Sequence, residues 1–338
     1  MKMLKKVLWI AVRSLLCLLL VLVLIFGILC TGYSRKGEHD PARADWMKDL
    51  PDGMTLSEIN LPGSHDSGCF ANNILSRVWW QTQWTNETIF DQLEAGLRVF
   101  DIRLRPSEKD PSDPFGMELN HDIWTCRTRL FGSETLTLSH VMEDAARFLE
   151  AHPTETAVLL LTDEVQGNAE NRDTVKAALI ALQAKYPPSG AQDGARFGGT
   201  FVYYAKGSAV PSLGDVRGKC ILLDDYGTLT KYENHWEVFA DEKIGYLKTA
   251  FASAGTQEES RKAFFTDAKT GGEPDVKIVY SSSNAGFRQG PRAAARKTNR
   301  YLTEEAVLPQ GSRIGWVLMD FPEEEAVRKI IASNQNTF

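Results

Sequence analysis

Short apolar segments with the composition of strands alternate with helical segments along most of this 338-residue chain. The clearest strand is residues 156–162, TAVLLLT, whose unbroken apolar run is typical of a parallel strand buried on both faces. A helical pattern precedes it, because apolar residues recur at helical spacing from Val141 to Leu149. Such alternation over about 290 residues predicts an α/β domain built on a parallel sheet.

Six short apolar segments are predicted to be strands: 59–61, 97–104, 156–162, 219–223, 276–280 and 314–321. Helices are predicted at 85–95, around Val141 to Leu149, at 173–185 and at 292–302. Charged and imidazole side chains fall near the carboxyl ends of several strands, where a TIM-type barrel carries its active site. The predicted fold class is therefore α/β, with a TIM-type (β/α) barrel. An open doubly wound sheet is the alternative, but no glycine-rich phosphate loop follows any predicted strand.

A charge-free segment of 21 residues, 14–34, follows the basic residues Lys2, Lys5, Lys6 and Arg13. Its length and its Leu, Val and Ile content predict a helix that crosses a membrane. The basic end is expected in the cytoplasm, with the rest of the chain outside. One alternative is a signal sequence with a weak cleavage site near Cys30, whose removal would give a secreted protein. The other is a buried helix of a soluble protein.

The chain is predicted to consist of a membrane anchor at 1–34, a stalk at 35–54 and a barrel domain at 55–338. Its net charge is −6, and since the first 34 residues hold four basic and no acidic residues, the remainder carries −10. This balance argues against a nucleic-acid partner, which needs clustered cations, and predicts that any lipid contact is apolar. We expect a monomer with one membrane-spanning helix and an extracytoplasmic domain.

The five cysteines do not define a disulfide framework. Two lie in the predicted anchor, which leaves Cys69, Cys126 and Cys220, an odd number without the spacing of a metal site. One pair can form a disulfide outside the cytoplasm, but the sequence does not decide which pair. Small buried apolar residues are the alternative interpretation.

Two histidines lie in motifs that combine them with acidic residues. His65 and Asp66 follow a Pro-Gly turn in LPGSHDSGCF, and His121 lies 56 residues further on, in LNHDIW. Between them, GLRVFDIRLR supplies Asp101 and Arg103. Two imidazoles with carboxylate partners and one guanidinium can act as general acid, general base and phosphoryl ligand in the cleavage of a phosphodiester. One imidazole must begin neutral and the other protonated, so each needs a different environment.

Six blocks of this sequence, in order, resemble the bacterial phosphatidylinositol-specific phospholipases C: LPGSHDSG, VWWQTQ, FDQLEAGLRVFDIRLR, NHD, LGDVRGKCILL and RIGWVLMDF. The resemblance runs from about residue 59 to residue 321. It implies a distorted TIM barrel and a metal-independent cleavage. In that reaction the inositol 2-hydroxyl attacks phosphorus, which releases diacylglycerol and a cyclic inositol phosphate.

The resemblance also implies catalytic roles. His65 is expected to be the general base, with its ring oriented by Asp320. His121 is expected to be the general acid that protonates the leaving glyceride oxygen, with Asp66 as its partner.

Two residues of one predicted strand have implied roles as well. Arg103 is expected to neutralise the phosphoryl oxygens and Asp101 to hold that arginine. In the calcium-dependent eukaryotic relatives, a carboxylate occupies the place of Arg103. A fixed cation there disfavours Ca²⁺, so we expect no metal and no other cofactor.

Departures from the family pattern fall on the positions that read the head group. The family's lysine after the buried strand is replaced by acidic residues including Glu164, and an arginine after a later strand by Asp224 and Asp225. Asp241 matches an inositol-binding aspartate. We therefore expect Glu164, Asp225 and Asp241 to bind substrate, with phosphatidylinositol as the default lipid.

Two tryptophans, Trp79 and Trp80, fall in a segment that forms a membrane-facing rim helix in the family. We expect them to contact the membrane. Packing of these rings into the barrel is the alternative.

Two other functions stay open from the sequence. One is a glycerophosphodiester phosphodiesterase on a similar barrel, which would need several carboxylates around a cation. The other is a non-catalytic surface protein that binds a head group or a glycan.

Overall fold

The computed structural model describes residues 2–32, 40–71, 80–164, 169–204, 208–224, 239–252, 276–283, 290–308, 310–311 and 313–334. The chain divides into two compact units, Met1–Gly37 and Glu38–Phe338. The first unit contains helix α1, Lys2–Gly32. Within it, Lys5–Ile25 has a mean hydropathy of 2.8 and is long enough to cross a membrane, as a signal sequence near an N-terminus also is.

The second unit contains nine strands among its described residues. They are β1 (Pro62–Ser64), β2 (Val99–Arg105), β3 (Glu118–His121), β4 (Trp124–Thr125), β5 (Ala157–Asp163), β6 (Phe201–Tyr204), β7 (Cys220–Asp224), β8 (Ile278–Tyr280) and β9 (Trp316–Met319). Seven strands form a parallel sheet in the order β6-β7-β5-β2-β1-β9-β8. The other two form a hairpin, in which β3 pairs antiparallel with both β2 and β4.

Helices alternate with these strands: α2 (Ile89–Glu94), α3 (Leu138–Ala151), α4 (Ala169–Lys185), α5 (Leu213–Val216), α6 (Ala240–Ala252), α7 (Pro291–Arg300) and α8 (Glu324–Ala332). Short 3₁₀ helices cover Pro41–Arg43, Trp46–Asp49, Pro114–Gly116 and Gly198–Thr200, and a π-helix, Tyr301–Glu305, extends α7. The predicted parallel α/β architecture is thus confirmed.

The first strand lies three residues later than predicted, at Pro62–Ser64 rather than 59–61. Gly63 explains the position, because β1 is squeezed between β2 and β9. A Cβ at Gly63 would lie 2.5 Å from the Val99 carbonyl oxygen and 2.6 Å from a Leu318 methyl carbon. Apolar character alone therefore placed the strand too early.

Side chains alternate between two hydrophobic cores on the two faces of the sheet. On β2, Phe100 and Ile102 belong to the core that includes helix residues, and Val99 belongs to a second core. That second core also contains Leu61 before β1, Val158 and Leu160 on β5, and Trp316 and Leu318 on β9. We call the face of the sheet that carries this second core the inner face. Counting every second residue from these core residues towards the carboxyl ends of the strands gives five of the predicted polar residues: His65, Asp101, Arg103, Glu164 and Asp320.

Residues 40–54 do not form the predicted stalk. Met47, Leu50 and Met54 are buried and belong to the second core. The Met47 amide donates to the buried Glu155, which lies just before β5, so this segment packs at the amino ends of the strands. The stalk prediction is therefore wrong for 40–54, because three apolar side chains outweigh the Pro, Gly and charged residues of the segment.

Candidate active site

His65 follows β1 and is hydrogen bonded through both ring nitrogens. Its Nδ1 lies 2.8 Å from Asp320 Oδ1, and its Nε2 lies 3.0 Å from an Nη2 of Arg103. A guanidinium has only donors. The Nε2 lone pair therefore accepts from Arg103, and Nδ1 carries the proton that is donated to Asp320. This is the tautomer that a general base acting through Nε2 requires.

Arg103 lies at the centre of a cluster of charged side chains, which we call the catalytic cluster. Its Nε lies 2.8 Å from Asp66 Oδ1, its Nη2 3.2 Å from Asp101 Oδ2, and its Nη1 3.1 Å from Glu164 Oε2. Burial alone would lower the guanidinium pKa, but the carboxylates of Asp101, Asp66 and Glu164 raise it well above its usual value. A permanent, oriented cation therefore lies at the carboxyl end of β2.

Asp66 lies between the two histidines in a left-handed backbone conformation, with φ of +44°. Its carboxylate Oδ2 is 3.4 Å from Nε2 of His65 and 3.4 Å from Nε2 of His121. Its amide donates to Asp101 Oδ2 at 3.2 Å. Aspartate tolerates this conformation better than most residues, so the turn directs one carboxylate towards both imidazoles.

His121 ends β3, the strand that pairs antiparallel with β2. Its Nδ1 lies 2.6 Å from the Trp80 carbonyl oxygen. A carbonyl only accepts, so Nδ1 carries a proton, and Nε2 faces Asp66. The ring centroids of His65 and His121 are 6.4 Å apart. The site therefore contains two imidazoles whose Nε2 atoms converge on the same carboxylate.

The two imidazoles have opposite pKa shifts. Burial, followed by the charge of Arg103, lowers the pKa of His65 well below its usual value. Burial also acts to lower the pKa of His121, but interactions with Cys69 and with the Glu164 carboxylate outweigh it, so this pKa is raised. Burial raises the pKa of Asp320, and the nearby Asp66 raises it further. One ring is thus favoured as neutral base and the other as protonated acid.

The structure adds three residues that the sequence reasoning missed. Gln83 donates from Nε2 to the His65 carbonyl at 2.6 Å, and the Tyr280 ring lies 5.8 Å from the His65 ring. Lys243 on α6 is 6% exposed, and its charge acts on both His65 and Asp320. Tyr280 could have been found by counting along the inner face of β8. No sequence signal identified Gln83 or Lys243.

The predicted substrate-binding residues differ in their positions. Glu164 lies at the cluster, where its carboxylate accepts from Arg103 and from the Asp122 amide. Asp241, in contrast, is exposed on α6 and pairs with Lys297 at 3.0 Å, so the structure does not bring it to the cluster. Asp225 lies outside the described residues.

Of the two tryptophans predicted to contact a membrane, Trp79 lies outside the described residues. Trp80 is half-buried, and its ring centroid lies 5.4 Å from that of Trp124. The position of Trp80 is compatible with packing and with a place at the rim of the site.

The site also contains a group of potential metal ligands. One ligand atom each from His65, Asp66 and Asp101 lies within 4.8 Å of the others. Arg103 contacts both carboxylates at hydrogen-bond distance. A divalent cation there would meet a fixed positive charge, so the donor set fits a metal poorly and fits phosphoryl oxygens directed at Arg103.

The comparisons with known proteins point to one group. No family model matches the chain. A protein of Listeria monocytogenes named 1-phosphatidylinositol phosphodiesterase is 26% identical over 355 residues, which covers 95% of this chain and 96% of that protein. A Staphylococcus aureus protein of the same name is 24% identical and covers 86% of this chain and 94% of its own length.

The solved structure of the phosphatidylinositol-specific phospholipase C from Listeria monocytogenes superposes with a TM-score of 0.56 at 21% identity. The match covers 87% of this chain and 99% of that one. This likeness confirms the predicted fold class, a distorted TIM-type barrel.

Proposed function

Because this chain is a homologue of the bacterial 1-phosphatidylinositol phosphodiesterases along nearly its whole length, we propose that it is a phosphatidylinositol-specific phospholipase C. It cleaves the phosphodiester between inositol and diacylglycerol. The observation that carries the proposal is the convergence of two imidazoles, with ring centroids 6.4 Å apart, beside one arginine.

The first step uses His65 as general base. Its unprotonated Nε2 accepts the proton of the inositol 2-hydroxyl, whose oxygen then attacks phosphorus. Asp320, hydrogen bonded to Nδ1, fixes the ring and stabilises the imidazolium that forms. Arg103 turns its donors to the phosphoryl oxygens, where negative charge develops.

The second role belongs to His121 as general acid. Because its Nδ1 proton is held by the Trp80 carbonyl, the proton on Nε2 of the imidazolium is the one available for transfer. It goes to the glyceride oxygen, so diacylglycerol leaves and a cyclic inositol phosphate remains. Asp66, whose Oδ2 lies 3.4 Å from this Nε2, faces the ring and orients it before the transfer.

No metal takes part in this scheme, because Arg103 occupies the position in which a cation would act. A metal-dependent phosphodiesterase on the same barrel would need His65, Asp66 and Asp101 as ligands, and two of these three are paired with Arg103. Abolition of activity by a chelator would therefore favour that alternative.

The enzyme acts at a membrane outside the cytoplasm, as a monomer held by its N-terminal helix. Support comes from the charge-free span of α1 with basic residues before it. Further support comes from apolar residues that follow His121. Ile123 is 68% exposed, and the ring of Trp124, the next residue, lies 5.4 Å from that of Trp80. Such residues suit the interface between water and lipid.

The experiment is a hydrolysis assay with the full chain purified in detergent. Vesicles of phosphatidylinositol, phosphatidylcholine, phosphatidylethanolamine or phosphatidylglycerol are offered with and without a chelator, and products are identified by ³¹P NMR. We expect a cyclic inositol phosphate from phosphatidylinositol alone, unaffected by the chelator and lost in His65→Ala and His121→Ala. Wild-type protein that hydrolyses none of these lipids would overturn the proposal.

A further inference from the structure

Two buried cysteines lie in the chain segments that follow the two histidines of the catalytic cluster. The Sγ atoms of Cys69 and Cys126 are 3.3 Å apart, and each residue is 1% exposed. Cys69 follows His65 by four residues, and Cys126 follows His121 by five. The pair therefore joins the segment that carries the general base to the segment that carries the general acid.

One backbone hydrogen bond joins the two segments, and two others fix each cysteine within its own segment. The Arg127 amide, next to Cys126, donates to the Ala71 carbonyl at 2.9 Å, and the Cys69 amide donates to Asp66 at 2.9 Å. The Cys126 amide donates to Leu119 at 2.9 Å. A disulfide needs an S–S separation of about 2.05 Å. The two sulfur atoms, 3.3 Å apart, therefore have to approach each other by about 1 Å.

We propose that Cys69 and Cys126 form a structural disulfide when the chain folds in an oxidising compartment, an inference that rests on the proposed extracytoplasmic location. The co-reactant is a disulfide, such as that of a thiol oxidoreductase. Two S–H bonds break, one S–S bond forms, and two electrons and two protons pass to the co-reactant, which leaves as a dithiol.

Burial determines when the bond forms. It raises the pKa of the Cys69 thiol well above its usual value, with a further contribution from Cys126. The thiolate is the form that exchanges disulfides, so the folded, reduced pair reacts slowly. The bond therefore forms while the two segments are still accessible, and burial then shields it from reductants.

The disulfide closes a loop of 57 residues. Closing such a loop reduces the entropy of the unfolded chain, which stabilises the folded one. It also fixes the spacing between the His65 and His121 segments. Cys220 is equally buried but lies on β7, which pairs with β5 and β6 rather than with the strands of the two histidine segments, so it is the matched control.

The test is refolding of the reduced, denatured full chain in detergent with a mixture of oxidised and reduced glutathione. Free thiols are then alkylated under denaturing conditions and peptides are mapped by mass spectrometry. We expect a Cys69–Cys126 linked peptide, with Cys220 alkylated. Complete alkylation of Cys69 and Cys126, or linkage of either one to Cys220, would overturn the proposal whether or not the protein hydrolyses lipid.

Thermal unfolding supplies a second measurement. Adding reductant under denaturing conditions before refolding should lower the midpoint of wild-type protein and of Cys220→Ala by about 5 °C or more. The midpoint of Cys126→Ala should not depend on reductant. A midpoint of wild-type protein that is equal with and without reductant would contradict the inference. The peptide map of wild-type protein stands even if a variant fails to fold.

Discussion

Two arginines five residues apart, at opposite ends of β2, occupy very different environments. Arg98, at the amino end, is fully buried and donates to Glu155 at 2.7 Å and to the carbonyls of Leu93, Leu97 and Ala44 at 2.6–2.8 Å. Arg103, at the carboxyl end, is shared by three carboxylates and one imidazole.

The two ends differ in how completely charge is balanced. At the amino end one guanidinium meets one carboxylate, and neutral carbonyls satisfy its other donors. At the carboxyl end Asp66, Asp101 and Glu164 surround Arg103. A fourth carboxylate, Asp320, contacts His65, and Lys243 is a second cation. Burial, followed by the charges of neighbouring groups, displaces the pKa values of Asp66, Asp320 and His65 there. Arg98 thus serves the fold, and the environment of Arg103 serves proton transfer.

The largest effect is expected from the histidines at the carboxyl end. His65→Ala or His121→Ala should each lower kcat by about 10³-fold, because each removes a group that transfers a proton in the transition state. The double variant should lose less than the product of the two, since the rings act as a unit. The measurement is steady-state hydrolysis of phosphatidylinositol vesicles.

His152 is the control at the opposite end. Its ring lies between Asp45 and Glu94, at 2.9 and 3.0 Å. His152→Ala should keep wild-type kcat and lower the free energy of unfolding by about 1–2 kcal/mol. A loss of kcat as large as that of His65→Ala would show that the two ends are not separate in function.

The second prediction compares the same substitution at the two arginines. Arg98→Met leaves the Glu155 carboxylate buried without its ionic partner, which should cost about 3–5 kcal/mol of unfolding free energy. Arg103→Met also leaves buried carboxylates without their partner and should lose stability too, but in addition it should lower kcat/KM by about 10²–10³-fold, because donors to the phosphoryl oxygens are lost. Chemical denaturation and vesicle hydrolysis measure the two quantities on the same samples. A loss of kcat/KM in Arg98→Met as large as that in Arg103→Met, measured where both variants are folded, would contradict the division of roles.

The third prediction concerns pH. Activity needs His65 neutral and His121 protonated, so kcat/KM should fall below the pKa of His65 and above that of His121. Since burial and the charge of Arg103 lower the pKa of His65, the acidic limit should lie well below the usual histidine range, and activity should extend to acidic pH. The pH dependence of kcat/KM in wild-type protein measures both limits. A narrow profile centred on one unshifted histidine would contradict the assignment.

Lys243 provides a way to move one limit of that profile. Its positive charge lowers the pKa of His65, so Lys243→Gln should raise that pKa and shift the acidic limit to higher pH. The alkaline limit should stay in place. Lys248→Gln, on the same helix but exposed and over the Tyr301 ring, should leave both limits unchanged. An identical shift in the two variants would mean that Lys243 does not act on His65 specifically.

Period-two alternation explains why much of the cluster was predictable. Once strands end at the same edge of a parallel sheet, residues such as Asp101 and Arg103 must share a face, and the sequence shows both the strand and the spacing. The His65–Asp320 contact joins residues 255 positions apart and was reached through the family resemblance. Strand physics alone would have placed both near the edge, without pairing them.

Helix orientation explains what was missed. Asp241 and Lys243 are two positions apart, which on a helix is about 200° of rotation, so they face nearly opposite directions. The sequence does not state which face of α6 packs on the barrel. Asp241 was therefore predicted at the site, whereas Lys243 is the residue that is buried there. The packing of 40–54 was missed for a related reason, because its partners, such as Glu155, are distant in the chain.

The smallest effect is expected from a variant that tests whether the carboxyl ends of the strands also contact the membrane. Ile123, in the turn between β3 and β4, is 68% exposed, and Ile180 on α4 is 66% exposed. Partial burial of one isoleucine in lipid is worth about 1 kcal/mol, so Ile123→Ser should lower kcat/KM on vesicles by about fivefold. It should leave hydrolysis of a short-chain, monomeric phosphatidylinositol unchanged, because His121 keeps its contacts. Ile180→Ser should affect neither assay, and if it weakened vesicle hydrolysis as much as Ile123→Ser, exposure rather than position would be responsible.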